Sequence, residues 1–143
     1  MIDTMMAALL LPLTEASKQV TLQPRMAVIN MAAVSPLPKY TKCVARRESH
    51  GNPKARNKTS SAAGRYQFLD NAWRDGLSFM VRDRLVKFGT PKKIAEKTRK
   101  ALVAVNIAKW PAVYQDIGHA AVLDAGGARH WYLKGSVCNK YAH

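Results

Sequence analysis

No stretch of this chain approaches the roughly 18 uninterrupted apolar residues that spanning a bilayer requires, so a transmembrane helix is excluded. Cysteine is nearly absent. Cys43 and Cys138 are too few for a disulfide-dense scaffold and lack the close spacing of a metal site. They could close one loop of roughly 95 residues, worth on the order of 4 kcal/mol in the chain-entropy account, or remain two buried thiols. The sequence leaves both open. His50, His119 and His130 show no metal-ligand spacing, so neither a metal nor another cofactor is expected. No internal repeat or low-complexity tract is present.

Acidic side chains are also scarce: nine Asp and Glu stand against 23 Lys and Arg, a formal charge of +14 over 143 residues. The charge is unevenly placed. Residues 1–38 hold Lys18 and Arg25 against Asp3 and Glu15, so 21 basic and 7 acidic residues all fall in 39–143. Such a field concentrates polyanions near the surface without saying which; nucleic acid, anionic lipid and a teichoic-acid-bearing cell wall all qualify. Excess lysine can also serve solubility alone.

The length suits one domain with one appended segment. The opening MIDTMMAALLLPL has no basic n-region, carries Asp3, and is interrupted by Pro12, so it is not expected to act as a signal peptide. Residues 1–38 contain apolar stretches at Met5–Leu13 and Met26–Val34 and prolines at 12, 24, 36 and 38. That composition suits neither a solvated tail nor one long helix, and predicts an anchoring arm covered by another protein chain. The domain proper is expected over 39–143.

From Lys39 the pattern is mainly helical. A short helix over about Tyr40–His50 should stop at Gly51-Asn52-Pro53, with the glycine as left-handed cap. A polar, turn-rich stretch follows over Asn57–Gly64. Trp73, Leu77, Val81 and Leu85 recur every four residues and predict a core-facing stripe on a helix that Asp70 would cap. Thr90-Pro91 reads as a cap and a first-turn proline, opening a helix with Ile94, Ala101, Leu102 and Val105 on its apolar side and lysines opposite. A last helix should run from Pro111 to Gly126-Gly127.

The chemistry-bearing residues are Glu48-Ser49-His50-Gly51-Asn52-Pro53 and Gly64-Arg65-Tyr66-Gln67-Phe68-Leu69-Asp70-Asn71-Ala72-Trp73. Cleaving a glycosidic bond needs a carboxylic acid that can donate to the leaving oxygen. Glu48 falls in the last turn of its helix, where unpaired carbonyls disfavour the ionised form. Arg46 and Arg47 would oppose this, but positions one and two away do not share its helical face. On position alone, a glutamate at a helix end is most often merely solvated.

The company it keeps changes that reading. The stretch from Cys43 to Trp73 resembles the soluble lytic transglycosylases and the resuscitation-promoting-factor domains, through Glu48, Ser49, Gly51, Asn52 and Pro53, then Gly64, Gln67, Phe68 and Trp73. The resemblance implies a mainly α, lysozyme-like fold with a short hairpin segment and cleavage of peptidoglycan glycan strands by Glu48 as general acid/base. Ser49, Asn52, Tyr66, Gln67, Phe68 and Trp73 are then the expected substrate-binding residues, with the aromatics as candidates for stacking on sugars. Core packing is the stronger reading for Trp73, which fits its own helix's stripe. Arg65-Tyr66 departs from the small or aliphatic residue usual before the glutamine. His130-Trp131-Tyr132 could line the far wall of a groove.

Between Glu48 and Asp70 there is no Asp or Glu, and Asp70 is the candidate second carboxylate for a hydrolytic mechanism, although its place just before a predicted helix favours a capping role. By resemblance, the substrate's N-acetyl group assists and the product carries a 1,6-anhydro end. A hydrolytic muramidase is the alternative. A virion-borne phage enzyme acting at the bacterial wall fits the apolar leader, and a structural virion component with a passenger domain is the chief rival. Nucleic-acid binding through Pro91–Val105 is disfavoured, because Lys92, Lys93, Lys97, Arg99 and Lys100 have no interleaved aromatics.

Overall fold

The computed structural model describes residues 33–143. The leader and most of the expected arm lie outside the described residues. Among the described residues the chain folds as four helices and one two-stranded hairpin, a mainly α layout consistent with the lysozyme-like fold that the resemblance implies. Helix α1 covers Pro38–Ser49, strands β1 and β2 cover Ala62–Ala63 and Phe68–Leu69, α2 covers Asp70–Lys87, α3 covers Lys92–Val103 and α4 covers Ala112–Asp124. Short 3-10 turns follow at Ile107–Lys109, Gly127–Trp131 and Val137–Tyr141. Among the described residues no helix is long and apolar enough to cross a membrane.

Helix α1 starts two residues earlier than the spacing predicts, because Pro38 occupies its first turn, where a missing N–H costs nothing. The segment before it is packed. Ala33 is buried, its carbonyl accepts from Arg84 Nε at 2.6 Å, and Ser35 Oγ lies 2.7 Å from Thr41 Oγ1. The packed unit therefore reaches upstream of the expected boundary at Lys39. At the other end, the left-handed cap begins at His50 (φ 53°), one residue before the expected glycine. The amides of His50 and Gly51 then return to the carbonyls of Arg46 and Ala45.

Helix α2 carries the predicted stripe: Leu77, Val81 and Leu85 are buried and Trp73 is half-buried. It packs against both α3 and α4. Gly118 on α4 permits the close approach, since a Cβ there would lie 3.1 Å from Leu77 Cδ1. On α3 the buried face is Ala95, Thr98 and Leu102, and Ile94 is exposed. The apolar face is thus rotated from the expected one, because Thr98 turns inward with its hydroxyl satisfied by the Ile94 carbonyl at 2.9 Å. Asp70 is the first residue of α2 rather than its cap. Its carboxylate instead accepts from the Ile107 amide at 2.8 Å and from Arg74, which ties α2 to the 3-10 turn before α4.

The two cysteines are joined. Cys43 on α1 and Cys138 in the last 3-10 turn form a disulfide across 95 residues, fastening the C-terminal segment to the helix that carries Glu48.

Helix α4 is the centre of the fold. Tyr114, Gln115, Ile117, Gly118, His119, Ala120, Val122 and Leu123 are all buried. His119 is fully enclosed: its ring stacks on Tyr66 at 4.0 Å and meets Trp131 edge-on at 4.3 Å. Nδ1 lies 3.3 Å from Thr41 Oγ1, and Nε2 has no hydrogen-bond partner among the described residues. Burial pushes the imidazole pKa down to about 3.

The unfolded chain therefore binds a proton here between pH 6.5 and about 3, and the folded chain does not. The stabilisation is complete above pH 6.5 and is lost as pH falls through that window, at roughly 1 kcal/mol per pH unit. Denaturant titrations at pH 7.5, 6.5, 5.5 and 5.0 should show this decline, and His119→Gln should flatten it. An unchanged slope in the variant would show that other groups carry the pH dependence.

Candidate functional site

Glu48 is the penultimate residue of α1, and its side chain keeps 28% of its exposure. Arg47 does not stand apart from it as the helical spacing suggested. The guanidinium reaches over the helix end and donates to Glu48 Oε1 from Nη2 at 2.7 Å and from Nε at 3.2 Å. The same group donates to the Trp131 carbonyl at 2.6 Å and to Ser136 Oγ at 3.1 Å. Adjacent helical residues diverge by about 100°, yet two long side chains meet when both extend past the last turn and a third segment draws one of them inward. Both contacts from Arg47 go to Oε1, and Oε2 of Glu48 has no hydrogen-bond partner among the described residues.

The Glu48 motif and the glutamine motif are brought together by backbone contacts. Ser49 Oγ donates to the Arg65 carbonyl at 2.7 Å and to the Ala45 carbonyl at 3.2 Å, which pins the end of α1 to the hairpin turn. Both contacts are internal, so the Ser49 hydroxyl proton is used to position the turn. Asn52 is exposed and accepts from the Lys54 amide at 3.0 Å, a local turn closure.

The hairpin turn runs through Gly64 (φ 81°) and Gln67 (φ 53°). Gly64 is required: a Cβ there would lie 2.5 Å from Gln115 Oε1. Gln67 holds a left-handed conformation that non-glycine residues seldom adopt, sustained by bonds from its amide at 3.2 Å and Nε2 at 2.9 Å to the Gly64 carbonyl. Gln67 lines a recess of about 120 Å³ together with Phe68, Leu69, Trp73, His130 and Trp131. Three of the expected binding residues, Gln67, Phe68 and Trp73, are thereby gathered in one place. Trp131 is held there by a bond from its Nε1 to the Tyr66 carbonyl at 2.9 Å, and His130 meets Trp73 edge-on at 4.9 Å.

Two expected stacking residues are closed to sugars. Tyr66 is 1% exposed and Phe68 is 4% exposed. Tyr66 is enclosed by His119 and donates its hydroxyl to Asp116 Oδ1 at 2.6 Å, and burial beside that carboxylate pushes the phenol pKa up. Phe68 sits edge-on to Tyr66 and Trp131 as core. Trp73 is half-buried and contributes both to the core and to the recess wall. Of the predicted far wall, His130 and Trp131 line the recess; Tyr132 is exposed and borders a separate depression with Tyr40 and Arg129.

Gln115 and Asp116 carry no local motif in the sequence, and Arg47, set aside on helical spacing, pairs with Glu48. Gln115 donates from Nε2 to the carbonyls of Pro53, Ile107 and Trp110, and its Oε1 accepts from the Arg65 amide at 2.7 Å. Asp116 accepts from Arg65 Nη1 at 2.9 Å on each oxygen and from Tyr66. The signal was present in Arg65-Tyr66, the departure from the family pattern, because both of these side chains are spoken for by the same aspartate. A cavity of about 460 Å³ lies beside this pair, bordered by Ser35, Thr41, Arg46, His50, Arg65 and Asp116; Glu48 lines neither it nor the smaller recess. The link from Glu48 to the recess runs instead through Arg47 and the backbone of Trp131. Among the described residues no three His, Cys, Asp or Glu side chains converge as a metal site.

No protein-family model matches the chain, and no solved structure matches it. Among curated proteins it is similar to the probable transglycosylase SceD of Staphylococcus aureus, for example from strains Mu3, MRSA252 and USA300. Identity is 30% over 118 residues, or 82% of this chain. The match covers 42% of the relatives' own length. Over most of its length the chain is therefore similar to less than half of proteins named as probable transglycosylases.

Proposed function

We propose that this chain is a peptidoglycan lytic transglycosylase that cleaves the MurNAc–GlcNAc β-1,4 bond with Glu48 as general acid and then general base. The observation that carries the reading is the partly exposed Glu48, with one carboxylate oxygen anchored by Arg47 and the other without a hydrogen-bond partner among the described residues, at a helix end that Ser49 ties to the hairpin turn carrying Gln67. Similarity to proteins named as probable transglycosylases supports the same chemistry.

One-carboxylate catalysis is favoured over a hydrolytic muramidase because the neighbouring acids are committed elsewhere. Asp70 is buried on Ile107 and Arg74, and both oxygens of Asp116 are held by Arg65. Neither is free to activate water. In the proposed sequence Glu48 protonates the leaving glycosidic oxygen while the substrate's N-acetyl oxygen supports the anomeric carbon. The resulting carboxylate then takes the proton of the 6-hydroxyl as that oxygen closes the 1,6-anhydro ring. Carriage in a phage particle, with the part of the expected arm that precedes Ala33 contacting a virion protein, is part of the proposal on that segment's composition alone, and places the enzyme outside the cell at the wall.

Replacing Glu48 by Gln keeps size and removes the titratable proton. Release of anhydro-muropeptides from purified walls, followed by mass analysis, should fall by at least roughly two orders of magnitude, with little change in melting temperature. Near-normal release would refute the assignment, and reducing ends in place of anhydro ends would point to the muramidase.

The exposed lysines of α3, Lys92, Lys93, Lys97 and Lys100, face solvent, whereas Glu96 is taken up by Arg82 and Arg99. Binding to walls rich in carboxylate and phosphate should therefore weaken steeply as salt rises from about 0.05 M to 0.5 M, as screening shortens the reach of these charges. Co-sedimentation with walls across that series measures it. A flat curve would mean that the charge serves another purpose.

A further inference from the structure

We propose that Arg47 is a positioning residue for Glu48, held in place by the disulfide-fastened C-terminal segment; the proposal rests on the assignment of Glu48 above. An ordinary surface ion pair leaves two long side chains free to part and contributes little. This one is different in construction. The guanidinium is 21% exposed and is fixed by acceptors from two separate parts of the chain: Glu48 Oε1 on one side, and the Trp131 carbonyl and Ser136 Oγ on the other. A flat group bonded on both edges has one orientation, and it imposes that orientation on the carboxylate.

The consequence falls on the two oxygens unequally. Both donor contacts from Arg47 go to Oε1, so Oε2 alone is available to exchange a proton with substrate. A catalytic carboxylate that can rotate freely presents its proton in many directions, and loss of geometry on the scale of an ångström can cost about a hundredfold in rate.

The acceptors are themselves held. Cys43 lies one helical turn before Arg47 on the same face of α1, and its disulfide partner Cys138 lies two residues after Ser136. Cys138 and Ser136 also share a bond, the Cys138 amide donating to Ser136 Oγ at 3.2 Å. At the other end, Trp131 is fixed by its indole on the Tyr66 carbonyl. The segment 131–138 is thereby tied at both ends, and Arg47 is clasped between them.

The full chain should be assayed on soluble glycan fragments as wild type, Arg47→Met, Arg47→Lys, Ser136→Ala and Glu48→Gln, with kcat, KM and melting temperature measured for each. Arg47→Met is expected to lower kcat by roughly ten- to a hundredfold with KM changed by less than about threefold. Arg47→Lys should recover part of the loss, since a cation can still reach Oε1 without the second edge. Ser136→Ala should lower kcat by a few fold. Should Arg47→Met fold poorly, the lysine and alanine variants carry the comparison at unchanged melting temperature. Wild-type kcat in Arg47→Met, or losses in all three variants that simply follow their melting temperatures, would overturn the positioning role while leaving Glu48 in place. A wild type that cleaves no glycan, or a Glu48→Gln variant as active as wild type, would instead overturn the functional reading on which the proposal stands.

Discussion

The buried polar face of α4 is the constraint on which the arrangement of this domain depends. Gln115, Asp116 and His119 lie on a helix that is otherwise apolar, and each reaches a different loop. Gln115 collects three carbonyls and one amide from the Pro53 loop, the 3-10 turn and the hairpin turn. Asp116 takes Arg65 and Tyr66 from that same turn, and His119 backs Tyr66 while touching Thr41 of α1. Backbone groups of loops cannot be buried without partners, because each orphan costs about as much as a lost hydrogen bond. One helix supplies those partners, and so decides where the Glu48 motif and the Gln67 motif stand relative to one another.

This explains why the hairpin tolerates Arg65-Tyr66 where a small apolar residue would otherwise pack. A salt bridge on half-buried Asp116 contributes modestly by itself. Here the same carboxylate also receives the Tyr66 hydroxyl, and Arg65 Nε donates to the Gly51 carbonyl at 3.1 Å, so the turn is tied to the end of α1 from above and below. Ser49 adds the last tie. The polar residues of the motif thus divide their labour: Ser49, Asn52 and Gln67 shape backbone turns, while Glu48 leaves one oxygen without a hydrogen-bond partner among the described residues.

What could be read from the sequence followed from periodicity and from covalent punctuation. The stripe Leu77, Val81, Leu85 survives because an 18-residue helix samples its apolar face five times over, and no single polar residue can rotate it. On α3 only three turns are available, and one threonine satisfied by its own helix shifts the buried face away from Ile94. Phe68 lies in a two-residue strand and Tyr66 in the turn before it, so neither offers an alternation from which to read direction. Asp70 looked like a cap because its partner, the Ile107 amide, lies 37 residues away and is invisible to local rules. The contacts of Arg47 are of the same kind: its partners at 131 and 136 come from the far end of the chain.

A basic domain with few acids faces a particular difficulty if it must keep a carboxyl group for chemistry, since any glutamate is surrounded by cations eager to pair with it. Most acids of the described region are consumed in this way: Asp70 by Arg74, Asp83 and Glu96 by Arg82, Asp116 by Arg65 and Asp124 by Arg84. Glu48 is paired too, on Oε1, by an arginine whose other bonds reach the Trp131 carbonyl and Ser136 Oγ at the far end of the chain. A lysine at that place would be a mobile point charge able to follow the carboxylate wherever it turned. The guanidinium, fixed on its far edge, cannot follow, and the second carboxylate oxygen keeps no hydrogen-bond partner among the described residues.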